Sequence, residues 1–220
     1  MNQISTYILY KDHHFILALK PAGIPVQEDK TGDASFLRML QAYSNRDLFL
    51  CNRIDRPVSG LVLLAKTPQD QTSINAQMEN GLFHKTYLAL IQKKDISNAG
   101  HFKNYMIHDT QNNKARIVES ADIPGAKLAV LNYKCLLELD KYLLIEITTE
   151  TGRFHQIRCQ LAHHGLFIKG DVKYGARRNN KDRSIGLHSW KLSFHHPTLN
   201  KELSFEAPLP DHDIWPNIKF

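Results

Sequence analysis

One carboxylate in the sequence stands in a setting that suits acid, base or nucleophilic chemistry. Asp55 lies in the stretch NRIDRPVSG at residues 52–60, between two apolar segments with the pattern of strands. Flanking strands hold such a carboxylate rigidly, while the proline and glycine fix the loop and let a ligand approach closely. Arg53 and Arg56 flank the acid and can keep it ionised. The pattern is also typical of an aspartate that forms a salt bridge with a neighbouring arginine in a turn.

A second polar stretch, TGRFHQIR at residues 151–158, places basic residues at the start of a predicted helix. The glycine allows a tight entry, and the first turns then present Arg153, His155, Gln156 and Arg158. Because Arg153 and Arg158 are separated by five positions, they need not point the same way. One can meet a buried carboxylate while the other meets a phosphate. The alternative is a basic, solvated helix end.

Two other chemistries are disfavoured by the residue spacing. Adjacent histidines occur at residues 13–14, 163–164 and 195–196, but neighbours on a strand face opposite ways, and neither an HExxH nor a zinc-finger pattern is present. The sequence therefore predicts no metal site. A glycosidase needs two carboxylates at a fixed separation, and no second acidic motif of comparable quality accompanies Asp55.

The charge balance is basic, with 28 Lys and Arg against 22 Asp and Glu, a net charge of +6 and a pI of about 9.2. This balance favours a polyanionic partner, because neutralising phosphates releases their counterions. Charge alone is a weak signal, since many basic proteins of this size bind no nucleic acid. The loop Asp171–Ser184 concentrates five basic residues, Lys173, Arg177, Arg178, Lys181 and Arg183, which either stay solvated or contact phosphates.

Composition and cysteine usage predict a cytoplasmic, globular chain. The 42% hydrophobic content is enough for a core, and no apolar run is long enough to cross a membrane. The N-terminus lacks the pattern of a signal peptide. Cys51, Cys135 and Cys159 are odd in number and far apart, with no CxxC pair, so neither a disulfide framework nor a thiolate zinc site is expected.

Ten segments have the alternation or the β-branched and aromatic enrichment of strands. They are Tyr7–Lys11, Phe15–Lys20, Leu48–Ile54, Leu61–Lys66, Lys85–Gln92, Lys114–Glu119, Lys127–Leu139, Tyr142–Thr149, Ser189–His195 and Glu202–Glu206. Helical spacing is found in Ala34–Tyr43 with Asp33 as its cap, Asp70–Asn80 before Gly81, and Phe154–His164 before Gly165. Strands outnumber helices without a βαβ rhythm, which predicts an α+β fold with a mixed, largely antiparallel sheet. Without a visible linker, we expect one domain over residues 1–220.

Five motifs, in order, resemble those of one enzyme family. The stretch NRIDRPVSGLVLLAKT at residues 52–67 resembles the catalytic-loop signature of the RluA-type pseudouridine synthases, which act on large-subunit rRNA and tRNA. The others are YKDHHFILALKPAGIP at 10–25, KTYLAL at 85–90, TGRFHQIRCQLAHHGLFIKGDVKYG at 151–175 and LHSWKLSFHHP at 187–197. The resemblance spans roughly residues 7–208. It implies the catalytic domain alone, without the small RNA-binding domain that precedes it in many relatives.

The resemblance implies roles for individual residues. Asp55 is the expected essential carboxylate, which either attacks the sugar or base or removes a ribose proton, and by motif position Arg158 is its cationic partner. Tyr87 matches the aromatic residue that stacks on the uracil and helps to remove the proton at carbon 5. Ile54 and Leu187 are expected apolar walls for the base.

The conversion of uridine to pseudouridine, which the resemblance implies, needs no cofactor because it involves no redox change and no external group. A uridine in folded RNA must be flipped out, at a cost of a few kcal/mol. Residues expected to bind the RNA, chiefly through phosphates, are Arg53, Arg56, Arg153, Lys173 and Arg177.

The resemblance also leads to an expected substrate, and the sequence differs from the family pattern at one position. We expect a monomer that acts on a stem-loop of large-subunit rRNA, with tRNA as the alternative. Asn52 stands where the family usually has His, so this position hydrogen-bonds without titrating near neutrality, which bears on the pH optimum.

A rival of another class is a catalytically idle RNA-binding or chaperone domain. That rival predicts loss of the acid or its arginine partner, and both are present.

Overall fold

The computed structural model describes residues 3–220; residues 1 and 2, which begin the segment examined for a signal peptide, lie outside it. Its strands are β1 (Ile8–Lys11), β2 (Phe15–Lys20), β3 (Phe49–Leu50), β4 (Ser59–Ala65), β5 (His84–Gln92), β6 (Ala99–Asp109), β7 (Lys114–Val118), β8 (Lys127–Glu138), β9 (Tyr142–Thr149), β10 (Leu187–His196) and β11 (Lys201–Glu206). Its α-helices are α1 (Phe36–Ser44), α2 (Pro68–Glu79) and α3 (Gln156–His163), with short 3-10 turns at Gln3–Tyr7, Val172–Tyr174 and Trp215–Asn217. The predicted α+β class is confirmed.

Contacts divide the chain into two compact units. Unit 1 comprises Met1–Lys85 and His188–Pro216. Its strands pair in the order β1-β2-β4-β10-β11, antiparallel except for β4 with β10, and β3 pairs with the far end of β4. Alternating apolar side chains from these strands, including fully buried Phe15, Leu61 and Phe194, form its core.

Unit 2 comprises Thr86–Leu187 and Asn217–Phe220. Its antiparallel sheet has the order β5-β9-β8-β6-β7, and α3 packs against it around buried Met106, Ala129 and Cys159. The single domain expected over the whole chain stays a prediction. Among residues 3–220, no helix is both long and apolar enough to cross a membrane.

The strand predicted at Leu48–Ile54 is wrong beyond Leu50. The Asn52 side chain replaces regular strand pairing, since its amide nitrogen donates to the Leu61 carbonyl at 3.2 Å and its oxygen accepts from the Leu63 N–H at 2.7 Å. Asn52 is therefore a structural clamp at the entry to the Asp55 loop.

The sequence did not predict β6, although it pairs with β7 and β8 along most of its length. Met106 is its one buried residue, and the rest of AGHFKNYMIHD is exposed or half-buried. Polar residues lie on both faces of this segment, so its sequence shows no alternation of apolar and polar residues. The segment is a strand because it pairs with β7 and β8.

Helix α1 begins two residues after the predicted start because Ser35, and not Asp33, is its cap. The Ser35 hydroxyl accepts from the Arg38 N–H at 3.2 Å, and the helix ends at Asn45 in the left-handed region. Asp33 instead bonds the Arg56 side chain.

The other two helices also begin at residues other than those predicted. Helix α2 starts at Pro68, ahead of the predicted Asp70, because Thr67 accepts from the Asp70 N–H at 3.1 Å. Helix α3 starts at Gln156 and not at Phe154, because His155 has a left-handed φ of 50°.

Candidate active site

The loop that carries Asp55 is a tight turn between β3 and β4 in unit 1. The Val58 N–H donates to the Asp55 carbonyl at 3.0 Å, which closes the turn. The Asp55 residue is half-buried, Ile54 before it is buried, and Arg53 is exposed with a guanidinium nitrogen 3.3 Å from the Gln27 side-chain oxygen. In the turn, half-buried Asp55 thus directly follows a buried apolar residue and, before it, an exposed cation.

Lys20 lies fully buried beneath this turn and was missed as a site residue. Its ammonium donates to the carbonyls of Pro21 at 2.7 Å, Ile24 at 2.8 Å and Arg56 at 3.3 Å. Burial lowers the pKa of Lys20 to about 7, while the negative charge of Asp55 acts in the opposite direction. The sequence signal was a lysine ending the apolar run FILALK directly before a proline.

Arg56 ties the Asp55 turn to the segment that precedes α1. Its Nε donates to the Gly23 carbonyl at 2.8 Å, and the Gly23 N–H donates to the Arg56 carbonyl at 2.8 Å. The guanidinium also bonds the Thr31 hydroxyl and forms ion pairs with Asp29 and Asp33. The structure therefore brings Arg56 to two carboxylates other than Asp55, and its predicted phosphate contact requires those ion pairs to open.

The downstream end of the turn is fixed where β4 lies beside β10. Ser59 pairs in register with His188, and the Ser59 hydroxyl lies 2.8 Å from the imidazole Nδ1. Burial lowers the pKa of His188 to about 4, so the ring is neutral at physiological pH. Gly60 has a φ of 121°, and a β-carbon there would lie 2.2 Å from the Ser189 carbonyl oxygen. Only glycine fits this crossing of two backbones.

In unit 2, Arg158 forms a buried, two-pronged ion pair that the sequence did not assign. Its Nε and Nη2 donate to the two oxygens of Asp171, at 2.7 and 2.8 Å, and its guanidinium carbon lies 4.9 Å from the centre of the Tyr174 ring. Gln156, Arg158 and Gln160 are all buried, so α3 is not the basic, solvated helix end considered as the alternative. The motif GDVKYG carries both new partners of Arg158.

The other predicted site residues divide between the units. Asp55 and Ile54 belong to unit 1, whereas Tyr87, Arg158 and Leu187 belong to unit 2. Tyr87 is buried in β5 opposite Ile147 of β9, and Leu187 is buried at the start of β10. The pairing of Asp55 with Arg158, and the two apolar walls for the base, stay predictions.

Arg153 lies in the turn before α3 with an exposed side chain. Its backbone N–H donates to the Gln156 side-chain oxygen at 3.0 Å, and its Nε donates to the Leu128 carbonyl at 2.9 Å. One edge of the guanidinium is thereby anchored, which fixes the direction of the side chain.

The basic loop Asp171–Ser184 is ordered by contacts of Asn180. The Asn180 side-chain oxygen accepts from the Lys169 ammonium at 2.6 Å, and its nitrogen donates to the Ser184 hydroxyl at 3.2 Å. Lys173 and Arg177 are exposed. Their predicted contacts with phosphates are compatible with this exposure.

The chain belongs to the RNA pseudouridylate synthase family, whose model matches residues 14–163. Members of this family are isomerases that convert uridine in RNA to pseudouridine. The predicted family and enzyme class are confirmed.

Curated relatives agree with this assignment, and a solved structure shares the fold. The chain is 33% identical over 214 residues to ribosomal large subunit pseudouridine synthase C of Rickettsia felis, covering 93% of this chain and 68% of that protein. It is 29% identical to an uncharacterized RNA pseudouridine synthase of Bacillus subtilis, covering 92% of this chain and 68% of that one. The solved human RNA pseudouridylate synthase domain containing 4 shares the fold, with a TM-score of 0.74 at 23% identity, over 94% of this chain and 90% of that one.

Proposed function

We propose that this pseudouridine synthase modifies uridines of large-subunit rRNA, with Asp55 as its essential carboxylate. The observation that carries the role of Asp55 is its turn, in which the half-buried residue follows buried Ile54 on a backbone held by buried Lys20. The rRNA substrate is supported by the several Rickettsia relatives named as large-subunit enzymes. Transfer RNA is the second candidate substrate.

The reaction breaks the bond from uracil nitrogen 1 to ribose carbon 1, rotates the base and joins carbon 5 to the same ribose carbon. Nitrogen 1 ends with a proton and carbon 5 loses one, so atoms balance without a cofactor. Asp55 acts as an ionised carboxylate that either attacks the substrate or removes a ribose proton.

The remaining roles in the proposed chemistry belong to Tyr87, Leu187 and Arg158. Tyr87 stacks on the extruded uracil and assists loss of the proton from carbon 5, and Leu187 with Ile54 contacts the base. Arg158 supplies positive charge to the reacting centre while its ion pair with Asp171 fixes the guanidinium plane.

Exposed cations bind the RNA backbone in this proposal. Arg53, Arg153, Lys173 and Arg177 are exposed, and each phosphate they neutralise adds to affinity that falls with salt. Arg56 joins them once its ion pairs with Asp29 and Asp33 exchange for phosphate.

The substrate is tested by release of tritium from RNA labelled at uracil carbon 5. Large-subunit rRNA and tRNA are prepared from cells that lack the enzyme and are compared in parallel. We expect release from the rRNA. Release from tRNA alone would move the substrate to tRNA. No release from either RNA by a folded chain that binds both would overturn the proposal in favour of an idle RNA-binding domain.

The monomeric state and the cytoplasmic location are also proposals. Cys51, Cys135 and Cys159 are free thiols, which suits a reducing compartment. Sedimentation at several protein concentrations tests the monomer, and a mass that rises with concentration would contradict it.

A further inference from the structure

Three aromatic rings in unit 2 form a ladder that the proposed chemistry does not use. The His108 and Phe154 ring centres are 3.9 Å apart with 34° between planes, and those of Phe154 and His155 are 3.8 Å apart with 18°. Two rings this close to Phe154 must lie on its opposite faces. Phe154 is therefore the middle rung, and His108 and His155 are the ends.

The inner end of the ladder is closed by protein. The His155 ring meets Tyr174 edge to face at 5.6 Å, and its Nδ1 lies 2.9 Å from the Tyr174 hydroxyl. That hydroxyl also accepts from the Ala115 N–H at 2.8 Å. At the outer end His108 is exposed, so the ladder opens to solvent there.

The backbone holds the inner rung in an unusual conformation. His155 has a φ of 50°, in a region that residues with a β-carbon populate sparsely and keep where surrounding contacts impose it. In the next position the chain enters α3, whose first six residues are buried. The strained residue thus fixes the ladder to a rigid element, which a pre-formed binding surface requires.

The charge around the ladder is positive. Arg153 precedes its middle rung and is exposed, Lys173 lies exposed beside the tyrosine of the inner end, and the Lys114 ammonium is 4.9 Å from the centre of that tyrosine ring. Of the two neighbouring acids, Asp171 is paired with the buried guanidinium in α3, and the Asp109 carboxylate accepts three hydrogen bonds from its own turn while it keeps its charge. The surroundings therefore suit the phosphates on either side of a nucleotide.

We propose that the ladder is a base-stacking subsite, at which an unpaired nucleobase of the substrate RNA lies on the exposed face of His108. Nucleobases stack on aromatic rings whatever their sequence, and cations beside the ring hold the backbone. The subsite takes a base other than the uridine that is isomerised. It deepens the proposed RNA-modifying function and rests on it.

The test measures binding of a fluorescent oligocytidine of eight nucleotides, which stacks but contains no uridine to react. His108→Ala should weaken binding by about 5-fold or more, the range expected for loss of one stacked base. His108→Phe, which keeps a ring, should bind like the wild type. His101→Ala is the matched control, because His101 is exposed on the opposite face of the same strand.

Salt and duplex measurements separate stacking from phosphate contact. His108→Ala should leave the slope of affinity against salt unchanged, whereas Arg153→Ala should lower it by about one. A duplex of the same length should bind both His108 variants and the wild type alike. Equal oligocytidine affinity for wild type and His108→Ala, or an equal loss with the duplex, would overturn the subsite.

Tritium release, measured separately, distinguishes failure of the subsite from failure of the proposed function. Normal release together with an ineffective His108→Ala substitution would overturn the subsite alone. Absent release from both RNAs, with oligocytidine binding that still depends on a ring at residue 108, would overturn the function and keep the stacking surface.

Discussion

The two units hold their buried charges in different ways. In unit 1 the buried ammonium of Lys20 donates to three backbone carbonyls, and burial lowers its pKa while the charge of Asp55 raises it. In unit 2 the buried guanidinium of Arg158 meets both oxygens of Asp171. A buried charge that is bonded only to neutral groups has a pKa that burial shifts. A buried charge with an opposite charge beside it is held in place by that ion pair. The surroundings of Lys20 in unit 1 are thus the pH-sensitive region, and the Arg158–Asp171 pair in unit 2 is the rigid one.

The largest effect is expected from breaking the ion pair in unit 2. Asp171→Asn removes the carboxylate that accepts two hydrogen bonds from Arg158 in this buried pair, and it should lower the free energy of unfolding by about 3–5 kcal/mol. Urea denaturation measures the loss. The matched control is Glu138→Gln, which breaks an exposed pair with Lys93 and should cost at most about 1 kcal/mol. Equal losses in the two variants would contradict the contrast between buried and exposed pairs.

An intermediate effect is expected from Lys20→Met, which leaves three carbonyls without their donor at a cost of about 1–3 kcal/mol at neutral pH. The pH dependence is the sharper readout. Between pH 7 and 10 the folded protein releases the Lys20 proton while the unfolded chain keeps it. The unfolded state then binds more protons, so wild-type stability should rise with pH relative to the variant.

Urea denaturation at several pH values checks this slope. Lys181→Met serves as control, because Lys181 is exposed and should show no such difference. A flat difference between wild type and Lys20→Met from pH 7 to 10 would show that the buried ammonium keeps an ordinary pKa.

The smallest effect is expected from Arg56→Ala. The Arg56 side chain is 37% exposed, and exposed ion pairs such as those with Asp29 and Asp33 contribute about 0–1 kcal/mol each. Thermal unfolding should therefore shift by only a few degrees. A loss as large as that of Asp171→Asn would mean that the Arg56 contacts hold unit 1 together and not only its loop.

Local sequence patterns predicted the helices and strands better than they predicted the contacts between residues far apart in the sequence. β2 and β9 have the predicted bounds because their runs of apolar residues are recognisable in the sequence. The formation of β6 depends instead on its pairing with β7 and β8. The Asp55 loop was found because its motif is contiguous. Lys20 and Asp171 were missed as site residues because their importance comes from burial against distant residues. The ladder joins His108 to residues more than forty positions away, which no local spacing reveals.

The central claim is that Asp55 is the essential carboxylate, and single-turnover kinetics of Asp55→Asn test it most directly. Tritium release is followed with excess enzyme on the RNA that wild type modifies, alongside the binding affinity for that RNA and the circular dichroism of both proteins. We expect the rate to fall by more than about 1000-fold, as for other essential catalytic groups, with fold and affinity retained. A folded Asp55→Asn variant that reacts within about 10-fold of wild type would contradict the account.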